Sequence, residues 1–246
     1  MMAAVTAFLV SATALRAASM DSRIESAARK SYVFKTYLKD DDVNVQSKDG
    51  VVTLTGTVAM DSHKTLAQDT VESLPGVKTV ENRLEVKVKP PEEKSDAWLT
   101  TKVELALLFH RNVSASKTHA SVKDGVVTLR GEATNRAQKE LTTEYAKDVE
   151  GVKDVNNEMT VATSPEKAGR TISARIDDAS ITAQAKMALL THRSTSALNT
   201  KVETKKGIVT VTGKATNAAE KDLVTKLLTD INGVKQVINN MILEVT

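Results

Sequence analysis

No cysteine occurs in the 246 residues. That excludes a disulfide framework, thiol chemistry and cysteine-ligated zinc, and it selects no compartment. Aromatic residues are only 3% of the chain, so any core must be built from Val, Leu, Ile, Met and Ala. Charge of one sign is scarce as well. The net charge of +3 is too slight to argue for nucleic acid. Acids and bases balance at eleven each over 21–89 and nine each over 97–161, whereas 178–246 carries nine bases against six acids. A mild bias towards anionic partners therefore sits in the last third.

Chemical machinery is missing too. The histidines, His63, His110, His119 and His192, do not fall at metal-ligand spacings such as i, i+4 on one helix. His110 and His192 end helices, where a cation suits the helix dipole. Asp40-Asp41-Asp42 lacks the alternating ligands and terminal glutamate of a calcium loop and reads as a solvated helix end. No glycine-rich phosphate loop opens a helix, and nothing proposes a nucleophile triad, which needs Ser or Cys next to a base. The expectation is a protein that is not an enzyme, with no cofactor, metal or catalytic residue and no evident small-molecule substrate.

Long apolar runs are absent except at the start. Met1 to Ala18 is small and apolar, without an acid. It is too short to span a bilayer and has the character of a signal-peptide core, with Ala17-Ala18-Ser19 as a cleavage region. A basic leader is lacking, so the true start is read as lying elsewhere and 1–20 as a clipped signal peptide. Export would follow; a helical or disordered tail is the alternative.

What the chain does have is a repeat. Asp49-Gly50-Val51-Val52-Thr53-Leu54-Thr55-Gly56 returns as Asp124-Gly125-Val126-Val127-Thr128-Leu129-Arg130-Gly131, and again as Lys206-Gly207-Ile208-Val209-Thr210-Val211-Thr212-Gly213. A second marker, Gly76-Val77-Lys78, Gly151-Val152-Lys153 or Gly233-Val234-Lys235, follows the first glycine by 26 residues each time. Fixed spacing with drifting side chains means one folding unit in three copies. Gly50, Gly125 and Gly207 mark type I′ hairpin turns, and Gly56, Gly131 and Gly213 mark a bulge or a close backbone approach.

Around these marks each copy reads helix, strand, strand, helix, strand. The first covers 21–89, the second 97–161 and the third 178–246, with linkers at 90–96 and 162–177. The second and third end their first helix on Leu-Leu-x-His-Arg (Leu107–Arg111, Leu189–Arg193). They read as carrying five more residues than the first copy between that helix and the hairpin. The fold class is α+β: three tandem αββαβ domains, each a three-stranded sheet with two helices on one face. Asn82, Asn157 and Asn239 recur in one register and suggest turn or edge-strand hydrogen bonding rather than chemistry.

An amphipathic helix ending near Leu-Leu, then Asp-Gly-Val-Val-Thr-Leu-x-Gly, then Gly-Val-x-x-Val-x-Asn, resembles the BON-domain family. Asp178-Ala179-Ser180-Ile181-Thr182 leading to Ala188-Leu189-Leu190 adds to the likeness, and three copies cover about 21–246. The resemblance implies αββαβ modules, export to the periplasm, phospholipid binding and a role in envelope integrity or osmotic stress.

One difference between copies bears on function. In the second copy Leu99, Val103, Ala106 and Leu107 form the core stripe of the first helix. Roughly 100° round lies a further row, Trp98, Lys102, Leu105 and Phe109; the third copy has the more polar Ser180, Gln184, Met187 and Thr191 there. A helix apolar on two faces must bury both or offer one to a partner. Three readings stand: Trp98 and Phe109 enter an anionic phospholipid membrane surface while Lys102 and Arg111 meet phosphates; the row packs on a neighbouring copy; or it binds an envelope protein. The corresponding functions are a peripheral periplasmic phospholipid-binding protein or a chaperone-like adaptor.

Overall fold

The computed structural model describes residues 20–87, 92–113, 115–162, 176–195 and 200–244. Nearly all of the expected signal peptide, residues 90 and 91 of the first expected linker and most of the second lie outside them. Contacts divide the chain into two compact units, Met1–Lys89 and Pro90–Thr246; the first holds one repeat and the second holds two.

In the first unit a helix over 20–30 (α1) breaks at Ser31. The Ser31 hydroxyl turns back to the Ala28 carbonyl at 2.8 Å and caps α2 (Tyr32–Thr36). Strands β1 (Asp42–Lys48) and β2 (Val51–Val58) pair antiparallel, and α3 (Asp61–Glu72) crosses over to β3 (Thr79–Val86), which lies parallel to β2. The sheet order is β1-β2-β3. Val45, Val52, Leu54, Val58 and Leu84 point inward and are buried with Ile24, Ala28, Leu66 and Val71 of the helices. Two helices therefore cover one sheet face, with an aliphatic core.

The second unit repeats this plan twice. One copy comprises α4 (Asp96–Leu108), β4 (Thr118–Lys123), β5 (Val126–Ala133), α5 (Arg136–Lys147), β6 (Asp154–Asn157) and β7 (Thr160–Val161). The other comprises α6 (Asp178–Thr191), β8 (Thr200–Lys205), β9 (Ile208–Ala215), α7 (Ala218–Thr229), β10 (Gln236–Asn239) and β11 (Ile242–Leu243). The last strand of each is split, and both pieces run parallel to the hairpin's second strand.

The hairpins are built as their turns require. Asp124 and Gly125 have φ of 53° and 81°, the type I′ geometry. At Gly131 a Cβ would stand 1.9 Å from the Lys117 carbonyl oxygen; the close approach, not a bulge, explains that glycine, since the ladder stays in register.

Two repeated contacts lock each copy. A carboxylate in the first turn of the first helix accepts the turn's backbone N–H groups: Asp96 from Asp124 at 2.8 Å and Gly125 at 3.1 Å, and Asp178 from Lys206 at 2.7 Å and Gly207 at 2.8 Å. Asp21 does the same for Asp49 and Gly50, and its pKa is lowered, first by the Ser47 hydroxyl and then by Gly50. The asparagines form the other lock. Asn157 donates to the Lys139 carbonyl at 2.9 Å and to Thr143 Oγ1 at 2.7 Å, while its Oδ1 accepts from Met159 N at 3.0 Å. Asn82 and Asn239 repeat that pattern, tying the last strand to the second helix.

Two expectations change. The helix-start aspartate precedes the turn glycine by 29 residues in all three copies. In the first repeat a broken helix carries α2 closer to the turn, so the interval from helix end to turn glycine is shorter than in the other two, by two or three residues (Thr36 to Gly50 against Leu108 to Gly125 and Thr191 to Gly207) rather than five. Asp41 is no solvated helix end either. Its carboxylate is 2% exposed, accepts Ala59 N at 2.7 Å and pairs with His63.

Candidate functional site

Ser95 caps α4, accepting the Trp98 backbone N–H at 3.2 Å. This fixes the first turn, from which Trp98 projects half-buried. One turn on, Lys102 Nζ lies 4.4 Å from the centroid of the Trp98 ring, a cation–π contact. The ammonium also stands 3.4 Å from the exposed Glu150 carboxylate. Leu105 continues the row, half-buried. Beside Trp98 opens a cleft of about 700 Å³ whose walls carry three lysines, Lys94, Lys102 and Lys153, and four carboxylates, Glu93, Asp96, Asp124 and Glu150. An indole with lysines at its margin can pair an apolar contact with an anionic group.

The other two members of the predicted set go elsewhere, which corrects the expectation that they meet lipid with Trp98. Phe109 is fully buried, and its carbonyl accepts from Asn232 N at 3.4 Å. The Arg111 guanidinium donates to the carbonyls of Thr229, Ile231 (2.9 Å) and Val234 (3.0 Å). The Thr229 carbonyl, at the end of α7, lies at the negative pole of its dipole, and those of Ile231 and Val234 follow it. A guanidinium placed there completes the helix terminus and is committed to it.

These contacts belong to an interface between the second and third repeats. His110 and Ile231 form an antiparallel bridge, and so do Val149 and His192. Arg111 N donates to the Asp230 carbonyl and Arg193 N to the Asp148 carbonyl, each at 3.0 Å. The end of each first helix thus meets the end of the other repeat's second helix, a pseudo-twofold arrangement in which one patch is used twice.

The side chains break that symmetry. On one side His110 stacks on Tyr145 with ring centroids 3.6 Å apart and 9° between planes. His110 Nδ1 lies 3.1 Å from an Asp230 carboxylate oxygen that also accepts from the Tyr145 hydroxyl, and Asn112 donates to the other oxygen. Burial opposes the charge of Asp230, yet the hydrogen bonds from His110 and Tyr145 and the nearby Arg111 hold its pKa below the ordinary range. Burial and Asp230 push the Tyr145 phenol up. On the mirror side Leu227 stands where Tyr145 does, and His192 Nε2 lies 3.6 Å from Asp148. Among the described residues that buried nitrogen has no hydrogen-bond partner. Burial lowers its pKa, with Arg193 and His110 adding to the effect. The two histidines do more than end helices: each faces an aspartate across the interface.

The polar row on α6 reverses what polarity suggests. Ser180 and Gln184 are 0% exposed, Met187 2% and Thr191 6%. Local hydrogen bonds accompany this burial, Gln184 donating to the Ser180 carbonyl at 3.0 Å and Thr191 to the Met187 carbonyl at 3.1 Å. Small side chains with internal hydrogen bonds are buried, while the tryptophan row stays half open.

The BON domain family profile matches residues 20–88, 95–163 and 177–244. The chain is similar to Osmotically-inducible protein Y of Escherichia coli (strain K12), 30% identical over 146 residues, 59% of this chain and 71% of that one. It is also similar to Outer membrane lipoprotein DolP of Haemophilus influenzae, 33% identical over 139 residues, 56% of this chain and 70% of that one. A solved structure of CdsD, a structural protein of the Type III secretion system of Chlamydia trachomatis, aligns over 90% of each chain at 17% identity with a TM-score of 0.25. Three matches spanning most of the sequence, on three αββαβ repeats, mean that the chain belongs to the BON domain family.

Proposed function

We propose that this is a non-enzymatic protein of the bacterial envelope, exported to the periplasm with residues 1–20 acting as its signal. In this reading it lies peripheral to anionic phospholipid membrane and supports the envelope under osmotic stress. Support for the setting comes from the relatives, one named as osmotically inducible and one as an outer membrane lipoprotein. Among the described residues no helix is long and apolar enough to cross a membrane, in keeping with contact at the surface.

The observation that carries the lipid reading is the half-exposed Trp98 with Lys102 4.4 Å over its ring. An indole suits the headgroup level of a bilayer, and lysine adds attraction to anionic lipid of about 1 kcal/mol per residue. Co-sedimentation with phosphatidylglycerol vesicles tests it. Binding should weaken at high salt and fall several-fold in Trp98→Ala; unchanged binding by a folded variant sinks the reading. The alternative, an adaptor or chaperone-like protein for other envelope proteins, is favoured by the exposed Ile238, Ile242 and Leu243 on the third repeat.

A further inference from the structure

Triplication supplies an internal comparison of one surface. The third-strand positions occupied by Glu81 and Glu85 in the first repeat are Asn156 and Thr160 in the second, and Ile238 and Ile242 in the third. Ile238 is 40% exposed, Ile242 62% and Leu243 47%. Strands β10 and β11 pair with β9 on one side, and among the described residues no strand pairs with their other edge. Proteins commonly guard such edges with charge. The first repeat does so with Glu81, Arg83 and Glu85, and the second with Glu158 paired to Arg130 at 2.9 Å. At the position of Arg83 and Glu158 the third repeat has Asn240.

The surroundings select the partner. Exposed Lys205, Lys206, Lys214 and Lys235 lie on this sheet and its turns, with Lys214 in register opposite Ile242. In the second repeat Lys206 and Lys214 are replaced by Asp124 and Glu132. Of the nearby acids, Glu203 is paired with Lys201 at 2.7 Å, and Glu244 ends the strand. A second copy would bring two lysine-rich surroundings together, whereas an acidic partner would be attracted. Ile242 and Leu243 are consecutive in a strand, so they point to opposite faces. A flat bilayer can meet one of them; an added strand flanks both.

We infer that the β10–β11 edge takes up an extended segment of another polypeptide, alternating apolar and acidic residues, as an added strand. This goes beyond the lipid reading of α4 and does not depend on it. The probe is a labelled eight-residue peptide alternating Val and Glu, titrated into the full chain by fluorescence anisotropy, with the Val–Lys peptide as comparison. The double variant Ile238→Glu/Ile242→Glu installs the first repeat's own side chains at exposed positions; Ile242→Thr, as in the second repeat, is the milder change. The Val–Glu peptide should bind at least tenfold more tightly than Val–Lys, lose at least tenfold in the double variant, and slow amide exchange across 236–243. Equal binding by the two peptides, no loss in either folded variant, or protection of 236–243 by phosphatidylglycerol vesicles without any by the peptide overturns the inference.

Discussion

Replacing Asp230 by alanine should cost far more than the same change at its pseudo-symmetric counterpart Asp148. The Asp230 side chain is 13% exposed and that of Asp148 46%. Removing the first leaves the Tyr145 hydroxyl, His110 Nδ1 and the Asn112 amide without their acceptor. A buried polar group stripped of its partner costs about 1–3 kcal/mol, and stripping one side of a largely buried ionic network about 3–5 kcal/mol. Partial solvent access at Asn112 lowers the total, so about 2–4 kcal/mol is expected for Asp230→Ala. Asp148 faces a single histidine at 3.6 Å from a half-exposed position, which argues for roughly 1 kcal/mol or less. Trp98, the only tryptophan, reports the second repeat. Urea unfolding followed by its fluorescence should therefore show a clear fall in midpoint for Asp230→Ala and a small one for Asp148→Ala. Equal losses, or a larger loss at Asp148, would refute the assignment of the interface's binding strength to the Tyr145 side.

Other predictions follow from the same contacts. Gly131→Ala would put a Cβ 1.9 Å from a backbone oxygen at φ 128°, costing at least about 3 kcal/mol. At Gly151 the nearest atom is a Leu99 methyl carbon at 3.4 Å, and about 1 kcal/mol of backbone strain is expected; the two urea midpoints check this contrast. His192 has its pKa lowered by burial. Its neutral form therefore contributes stability fully present above the unfolded value of about 6.5, and lost as pH falls through the lower folded value. His192→Gln should flatten the pH dependence of the urea midpoint as pH falls from about 6.5 towards the folded value, and an unchanged slope would contradict it.

Much of the fold is written in local chemistry. Asp124-Gly125 fixes the hairpin because few residues tolerate positive φ at both positions, and alternation in Val51–Val58 marks which face is buried. The locking carboxylates were also within reach: Asp21, Asp96 and Asp178 each stand 29 residues before a turn glycine. Reading the first helix through to Asp42 hid that constancy, because the break at Ser31 depends on a single hydroxyl. The site was harder to see. His110 and Asp230 are 120 residues apart, so no local pattern joins them. The trace was comparative: His-Arg ends the first helix in the second and third repeats but not in the first, which has Lys35-Thr36, and Asp148 and Asp230 match Ser73 there. Polarity alone did not show that the α6 row is buried, where Gln184 and Thr191 each donate to a carbonyl of their own helix.

The central functional claim is that Trp98 enters the membrane interface. Its emission on adding phosphatidylglycerol vesicles to the full chain tests this directly, since no other indole contributes. The account predicts a shift to shorter wavelength that diminishes with salt and with Lys102→Ala. Vesicle-bound protein with an unchanged Trp98 spectrum would contradict it.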